Sequence, residues 1–175
     1  MPQDASGQPR LHIAITGASG LIGRALATAL AGAGHRVTPL VRGTPRPGEV
    51  RWDPAGVADL SALGAVDAVV HLAGENIAAG RWTARRRAAI LASRRDGTAN
   101  LVGSLRQLPA PPRTLVAASA IGIYGDRGDE RLTESSPTGT GFLADVGRAW
   151  EGAADPAANA GIRVVHTRFG IVLTP

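Results

Sequence analysis

The chain has 175 residues, enough for one domain with a substantial buried core. It contains no Cys, which excludes disulfides and thiolate metal or nucleophile sites, and its +5 charge is carried by 19 Arg with no Lys at all. No apolar run reaches the ~20 residues that span a bilayer, so a membrane span is excluded, and the polar segment 1–10 reads as a disordered leader without a signal peptide. Aromatic residues make up only 3%, so the core is expected to consist of Ala, Val, Leu and Ile.

Residues 11–16 (Leu-His-Ile-Ala-Ile-Thr) form an apolar run that reads as a buried strand, followed by a Gly-rich turn. Apolar residues at helical spacing predict a helix over 21–30, stopped by Gly32 and Gly34. Residues 36–41 read as a second strand, 43–48 as a loop, and 50–52 as a short strand ending at Asp53-Pro54. Residues 68–73 form a further buried strand. A long helix is expected over 83–108, weakened near Gly97 and stopped by Pro109, Pro111 and Pro112. A strand over 114–119, a loop over 126–141, a helix over 142–154 and a strand region over 162–172 complete the pattern. Alternating strands and helices predict an α/β fold with a doubly wound parallel sheet. Residues 11–175 read as its single domain.

The strongest local signal is Gly17-x-x-Gly20-x-x-Gly23, set directly between a strand and a helix. Gly17 can make a tight turn without a Cβ. Gly20 leaves room for a pyrophosphate against the backbone, and Gly23 lets helix and strand approach. The helix N-terminus would offer unpaired N–H groups to the phosphates. The pattern predicts a nicotinamide dinucleotide site of the Rossmann type. The second strand ends in Arg42 where NAD sites usually carry an acid, and no acid occurs over 36–48. An Arg there suits a ribose 2′-phosphate, so NADP(H) is expected in preference to NAD(H).

Further stretches carry a resemblance: His71-Leu72-Ala73-Gly74-Glu75-Asn76, Gly80-Arg81-Trp82-Thr83, Ser93-Arg94, Ala118-Ser119-Ala120-Ile121-Gly122, Tyr124-Gly125 and Trp150-Glu151. With the glycine loop they resemble the extended short-chain dehydrogenase/reductase superfamily. Within it they look like the NAD-dependent epimerase/dehydratase family, in the subgroup of nucleoside-diphosphate sugar epimerases called epimerase family proteins. The resemblance implies a Rossmann fold of strand order 3-2-1-4-5-6, an oxidoreductase-like or epimerase activity and a small-molecule substrate that it does not identify; the absence of Cys fits a cytoplasmic protein. It implies cofactor contacts at Gly17, Gly20, Leu21, Ile22, Gly23, Arg42, Leu72, Ala73, Gly74 and Arg94, with Asp53 at the adenine edge and Ser119 beside the nicotinamide. It also implies a substrate lobe beyond the cofactor half that this chain spans.

The superfamily's catalytic Tyr-x-x-x-Lys pair has no counterpart, because the chain has no Lys and one Tyr. The helix that should carry the pair reads Phe142 to Val146. Ser119 and Tyr124 remain as weak catalytic candidates, and a dinucleotide-binding module without catalysis is the alternative reading. Glu75, Asn76 and Asp126 follow strand ends and are candidates for polar substrate contacts. The Arg cluster over 81–106 lacks interleaved aromatics, so nucleic acid is not an expected partner. His12, His71 and His166 lie within strands and read as core positions, and no metal-ligand spacing is present. Oligomeric state is not legible.

Overall fold

Residues 9–173 are described in a computed structural model. Of the expected leader, residues 1–8 lie outside the described residues. The elements in chain order are β1 (His12–Thr16), α1 (Leu21–Gly32), β2 (Arg36–Val41), β3 (Val50–Arg51), β4 (Ala68–His71), α2 (Ala84–Arg106), β5 (Thr114–Ala120), α3 (Phe142–Ala154) and β6 (Arg163–Phe169). Short 3-10 turns occupy Ser61–Leu63, Ile121–Tyr124 and Asp155–Ala160. The strands form one parallel sheet in the order β3-β2-β1-β4-β5-β6, as the resemblance implied.

All five residues of β1 are buried, which is what a central parallel strand covered on both faces requires. Alternation along the strands divides the core in two. Ile13, Ile15 and Val70 face α1, where Leu26, Ala27 and Leu30 cover them. Ala14, Val69, Leu115 and Ala117 face the opposite way, against Leu101, Val102 and Leu105 of α2 and Ala154 of α3.

Two expectations need correction. The core is not purely aliphatic: Trp52 is only 2% exposed and stands among the largest buried side chains, and Trp150 and Tyr124 are buried too. A low aromatic count says nothing of where the few aromatics go, and their large area favours the interior. Nor does Gly97 weaken the long helix, since α2 runs unbroken through it. Gly97 is buried on the face that packs inward with Thr98, Leu101 and Leu105, so tertiary contacts offset the ~1 kcal/mol that a helical glycine costs. Boundaries differ by a few residues elsewhere. Thr83 is the N-cap of α2, its hydroxyl accepting the Arg86 amide, and β4 stops at His71 because Leu72 and Ala73 already turn toward β1. No helix among the described residues is long and apolar enough to cross a membrane.

Candidate functional site

The order of the strands reverses between β1 and β4, and in open α/β sheets ligands bind at the carboxyl ends of strands at such a reversal. The segments leaving those two strands touch. Gly17 has φ +70°, and a Cβ built on it would lie 2.9 Å from the Ala73 nitrogen and 2.9 Å from the Leu72 carbonyl carbon. Only a glycine allows this backbone contact. A Cβ on Gly23 would come to 2.2 Å from the Gly17 carbonyl oxygen, so α1 also sits directly on its own loop. Gly20 is different. Its nearest obstacle is the Gly17 oxygen at 3.3 Å, and the rest of its surroundings are open.

Gly20 is the N-cap of α1 and offers no side chain, and the first turn holds no acid. The amides of Leu21, Ile22 and Gly23 therefore have no intrahelical acceptor and carry the positive end of the helix dipole. The loop is bare, positively polarised and bordered by the Leu72 and Ala73 backbone, a cradle that fits a diphosphate.

Arg42 follows β2 at the same end of the sheet and is exposed. Asp53 lies just past β3, where its Oδ1 accepts the Ala55 amide at 2.9 Å in an Asp-Pro turn. The Pro54 carbonyl in that turn accepts from Asn100 of α2. Arg94 is no free surface charge. Its guanidinium lies over Gly74 and 4.8 Å from the Trp150 ring centroid, and its Nη1 donates to the Glu75 carbonyl at 3.1 Å. Burial lowers its pKa from the ordinary value, and the nearby Glu75 carboxylate partly offsets this.

Ser119 and Tyr124 are brought together by two residues that the sequence reading did not single out for a role. Ser119 Oγ donates to Glu151 Oε1 at 2.6 Å, and Arg168 Nη1 donates to the Tyr124 hydroxyl at 2.6 Å. Arg168 in turn grips Glu151. A readable signal existed: Arg168 sits inside an apolar strand run, where a charge needs a partner. Glu75 pairs with Arg86 of α2 at 3.1 Å, while Asn76 caps the Ala78 amide within its own loop, so both side chains are already engaged. Asp126 instead lines a pocket of about 320 Å3 with Trp82, Gly122, Gly141 and Phe142. The Phe142 ring meets Trp82 edge-on at 5.5 Å, and Arg87 lies 5.5 Å from its centroid.

His12 and His71 occupy core positions as read, whereas His166 is only partly buried, because β6 lies at the edge of the sheet. His12 bonds Thr38 and the Ala65 carbonyl, His71 is fully buried between Thr16 and Thr98, and His166 pairs with Asp155. Among the described residues there is no group of three or more His, Cys, Asp or Glu side chains placed to hold a metal.

Comparison with known proteins adds the relationship. A family model described as the NAD dependent epimerase/dehydratase family matches residues 13–143. An epimerase family protein of Mycobacterium tuberculosis is 44% identical over 165 residues, covering 93% of this chain and 54% of the relative. The crystal structure of a nucleoside-diphosphate sugar epimerase from Corynebacterium glutamicum matches with a TM-score of 0.83 and 43% identity, over 95% of this chain and 35% of that one. The human epimerase family protein SDR39U1, solved with NADPH, matches with a TM-score of 0.81 and 32% identity, over 93% of this chain and 55% of that one. The chain spans about half the length of the curated relatives it matches.

Proposed function

The chain belongs to the NAD-dependent epimerase/dehydratase family, and from that footing we propose that it binds a nicotinamide dinucleotide, NADP(H) in preference to NAD(H), at the Gly17–Gly23 loop. The observation that carries the reading is the cradle itself: an uncapped helix N-terminus on a loop so close to the β4 exit that Gly17 has no space for a Cβ, and so close to α1 that Gly23 has none either. In this reading the amides of Leu21, Ile22 and Gly23 hold the diphosphate, and Gly20 lets it approach. Arg42 pairs with the 2′-phosphate, and Asp53 borders the adenine. Leu72, Ala73 and Gly74 line the opposite wall, which Arg94 braces from behind. Ser119 lies at the end of β5 on the nicotinamide side.

The bound nicotinamide would supply hydride chemistry to a small-molecule substrate. The pocket between Trp82, Asp126 and Phe142 is the space for that substrate. The M. tuberculosis and human relatives are named epimerase family proteins, the human one solved with NADPH, and this supports an epimerase-like reading of the site.

A second reading, a dinucleotide-binding module without catalysis, has its own support. Phe142 opens α3 where the superfamily's helix would bring a Tyr, and the Tyr124 hydroxyl is occupied by Arg168. Calorimetric titration with NADPH and NADH tests the binding claim, and absence of heat with both sinks it. A turnover screen followed at the NADPH absorbance separates the two readings. Binding without oxidation by any carbonyl or sugar-nucleotide substrate supports the module.

A further inference from the structure

We propose that Thr98 of α2, whose hydroxyl bonds His71, is a positioning residue for the Gly17 loop and acts through His71 held as the neutral tautomer with its proton on Nε2. The inference rests on the dinucleotide reading above and adds to it a control point on the far side of β4.

The tautomer follows from counting lone pairs. Thr16 Oγ1 accepts the Leu72 amide at 3.1 Å and the Ala73 amide at 3.2 Å, and it lies 2.7 Å from His71 Nδ1. A hydroxyl oxygen has two acceptor sites and one hydrogen to give. The Ala73 amide fills one acceptor site and the Leu72 amide shares the other with the Thr16 carbonyl, 3.3 Å away; His71 Nδ1 is then the acceptor in reach of the hydroxyl hydrogen, so Nδ1 is bare. The ring proton then sits on Nε2 and is donated to Thr98 Oγ1 at 3.0 Å. All three side chains are buried, with Thr16, His71 and Thr98 each 0% exposed, so no water substitutes for a lost partner. Desolvation lowers the His71 pKa to about 4, which keeps the ring neutral at ordinary pH.

The consequence reaches the loop because Leu72 and Ala73, whose amides Thr16 holds, form the wall against which Gly17 is packed without a Cβ. With the proton on Nδ1 instead, the Thr16 oxygen would face three donors with two lone pairs. The Leu72 amide would be left to the Thr16 carbonyl alone, 3.3 Å away, and the Leu72–Ala73 backbone would shift against Gly17. Thr98 prevents this by giving the Nε2 proton its acceptor in a dry site, where an unpaired donor is costly.

Nitrogen-correlated NMR of the imidazole tests the tautomer, and NADPH titration tests its effect. The wild type should show a protonated Nε2 and a bare Nδ1. Thr98→Val, which keeps the shape and loses the hydroxyl, should move the proton to Nδ1 and weaken NADPH roughly tenfold, the scale of one buried hydrogen bond. Thr98→Ser should restore both signals, which a merely packing role for Thr98 would not predict. A wild-type Nδ1–H tautomer would overturn the proposal, even if Thr98→Val fails to fold. So would a folded Thr98→Val protein that binds NADPH as tightly as wild type, an outcome that leaves the dinucleotide reading standing. A wild type that binds no NADPH removes that reading, and this one with it.

Discussion

Arg168 of β6 and Glu151 of α3 meet in a two-pronged ion pair, Nε to Oε1 and Nη2 to Oε2, each at 2.8 Å. Ser119 adds a third hydrogen bond to the same carboxylate, and Arg168 spends a further N–H on Tyr124, so one pair ties β5, β6, α3 and the Ile121–Tyr124 turn together. Burial pushes the Glu151 carboxyl up, but the Arg168 and Ser119 hydrogen bonds outweigh it and hold the group below the ordinary carboxylate range. Removing Arg168 leaves a largely buried carboxylate without its cation. Arg168→Met should cost about 3 kcal/mol in urea denaturation, and the double change Arg168→Met with Glu151→Leu should recover much of that loss. A double variant as unstable as the sum of its singles would show that the two residues act separately.

The three glycines of the loop should separate by mechanism. Gly17→Ala forces an L-residue to φ +70° against the Ala73 nitrogen, and Gly23→Ala drives a methyl group into the Gly17 carbonyl. Both should lower thermal stability, by about 1–2 kcal/mol or more, and abolish dinucleotide binding. Gly20→Ala meets no comparable obstacle in the protein. The 3.3 Å approach to the Gly17 oxygen should lower the melting temperature far less than the other two changes, while NADPH affinity falls because the added methyl group occupies the ligand's approach. Unchanged affinity in Gly20→Ala would place the diphosphate elsewhere.

Arg42 is exposed at the end of β2, where a 2′-phosphate could reach it. Arg42→Ala should weaken NADPH at least about tenfold, the scale of a charge-assisted contact, while NADH changes by less than about twofold. Parallel titrations of the two nucleotides check this. Equal losses would remove the argument for NADP(H).

His71 gives the fold a specific acid sensitivity. An ordinary histidine takes up its proton near pH 6.5, but buried His71 does so only near 4, with Thr16, Thr98 and the Trp52 ring around it. Between these values the unfolded chain holds one more proton than the folded chain. Stability is therefore complete above pH 6.5 and declines as pH falls toward 4, by up to about 3 kcal/mol. Urea midpoints measured across this window should fall more steeply in wild type than in a folded His71→Gln variant. Identical slopes would mean that His71 is protonated equally in both states.

Much of the architecture was legible in the one-dimensional pattern because it depends on local rules. Short apolar runs bounded by turn residues identified the strands, helical apolar spacing the helices, and Gly17-x-x-Gly20-x-x-Gly23 marked the turn between the first strand and helix. The family resemblance supplied the strand order. What the chain could not reveal was partnership across distance. Glu151 and Arg168 are 17 positions apart, and Thr16 and Thr98 meet His71 from 55 and 27 positions away. Spacing along the chain carries no trace of such contacts, because sheet order and helix packing create them. Composition misled on the core for the same reason, since scarcity of aromatics does not say that Trp52 and Trp150 turn inward. The backbone's bareness at Gly17 is written in the sequence, but that it faces Ala73, and that a neutral histidine helps hold that wall, only the folded packing decides.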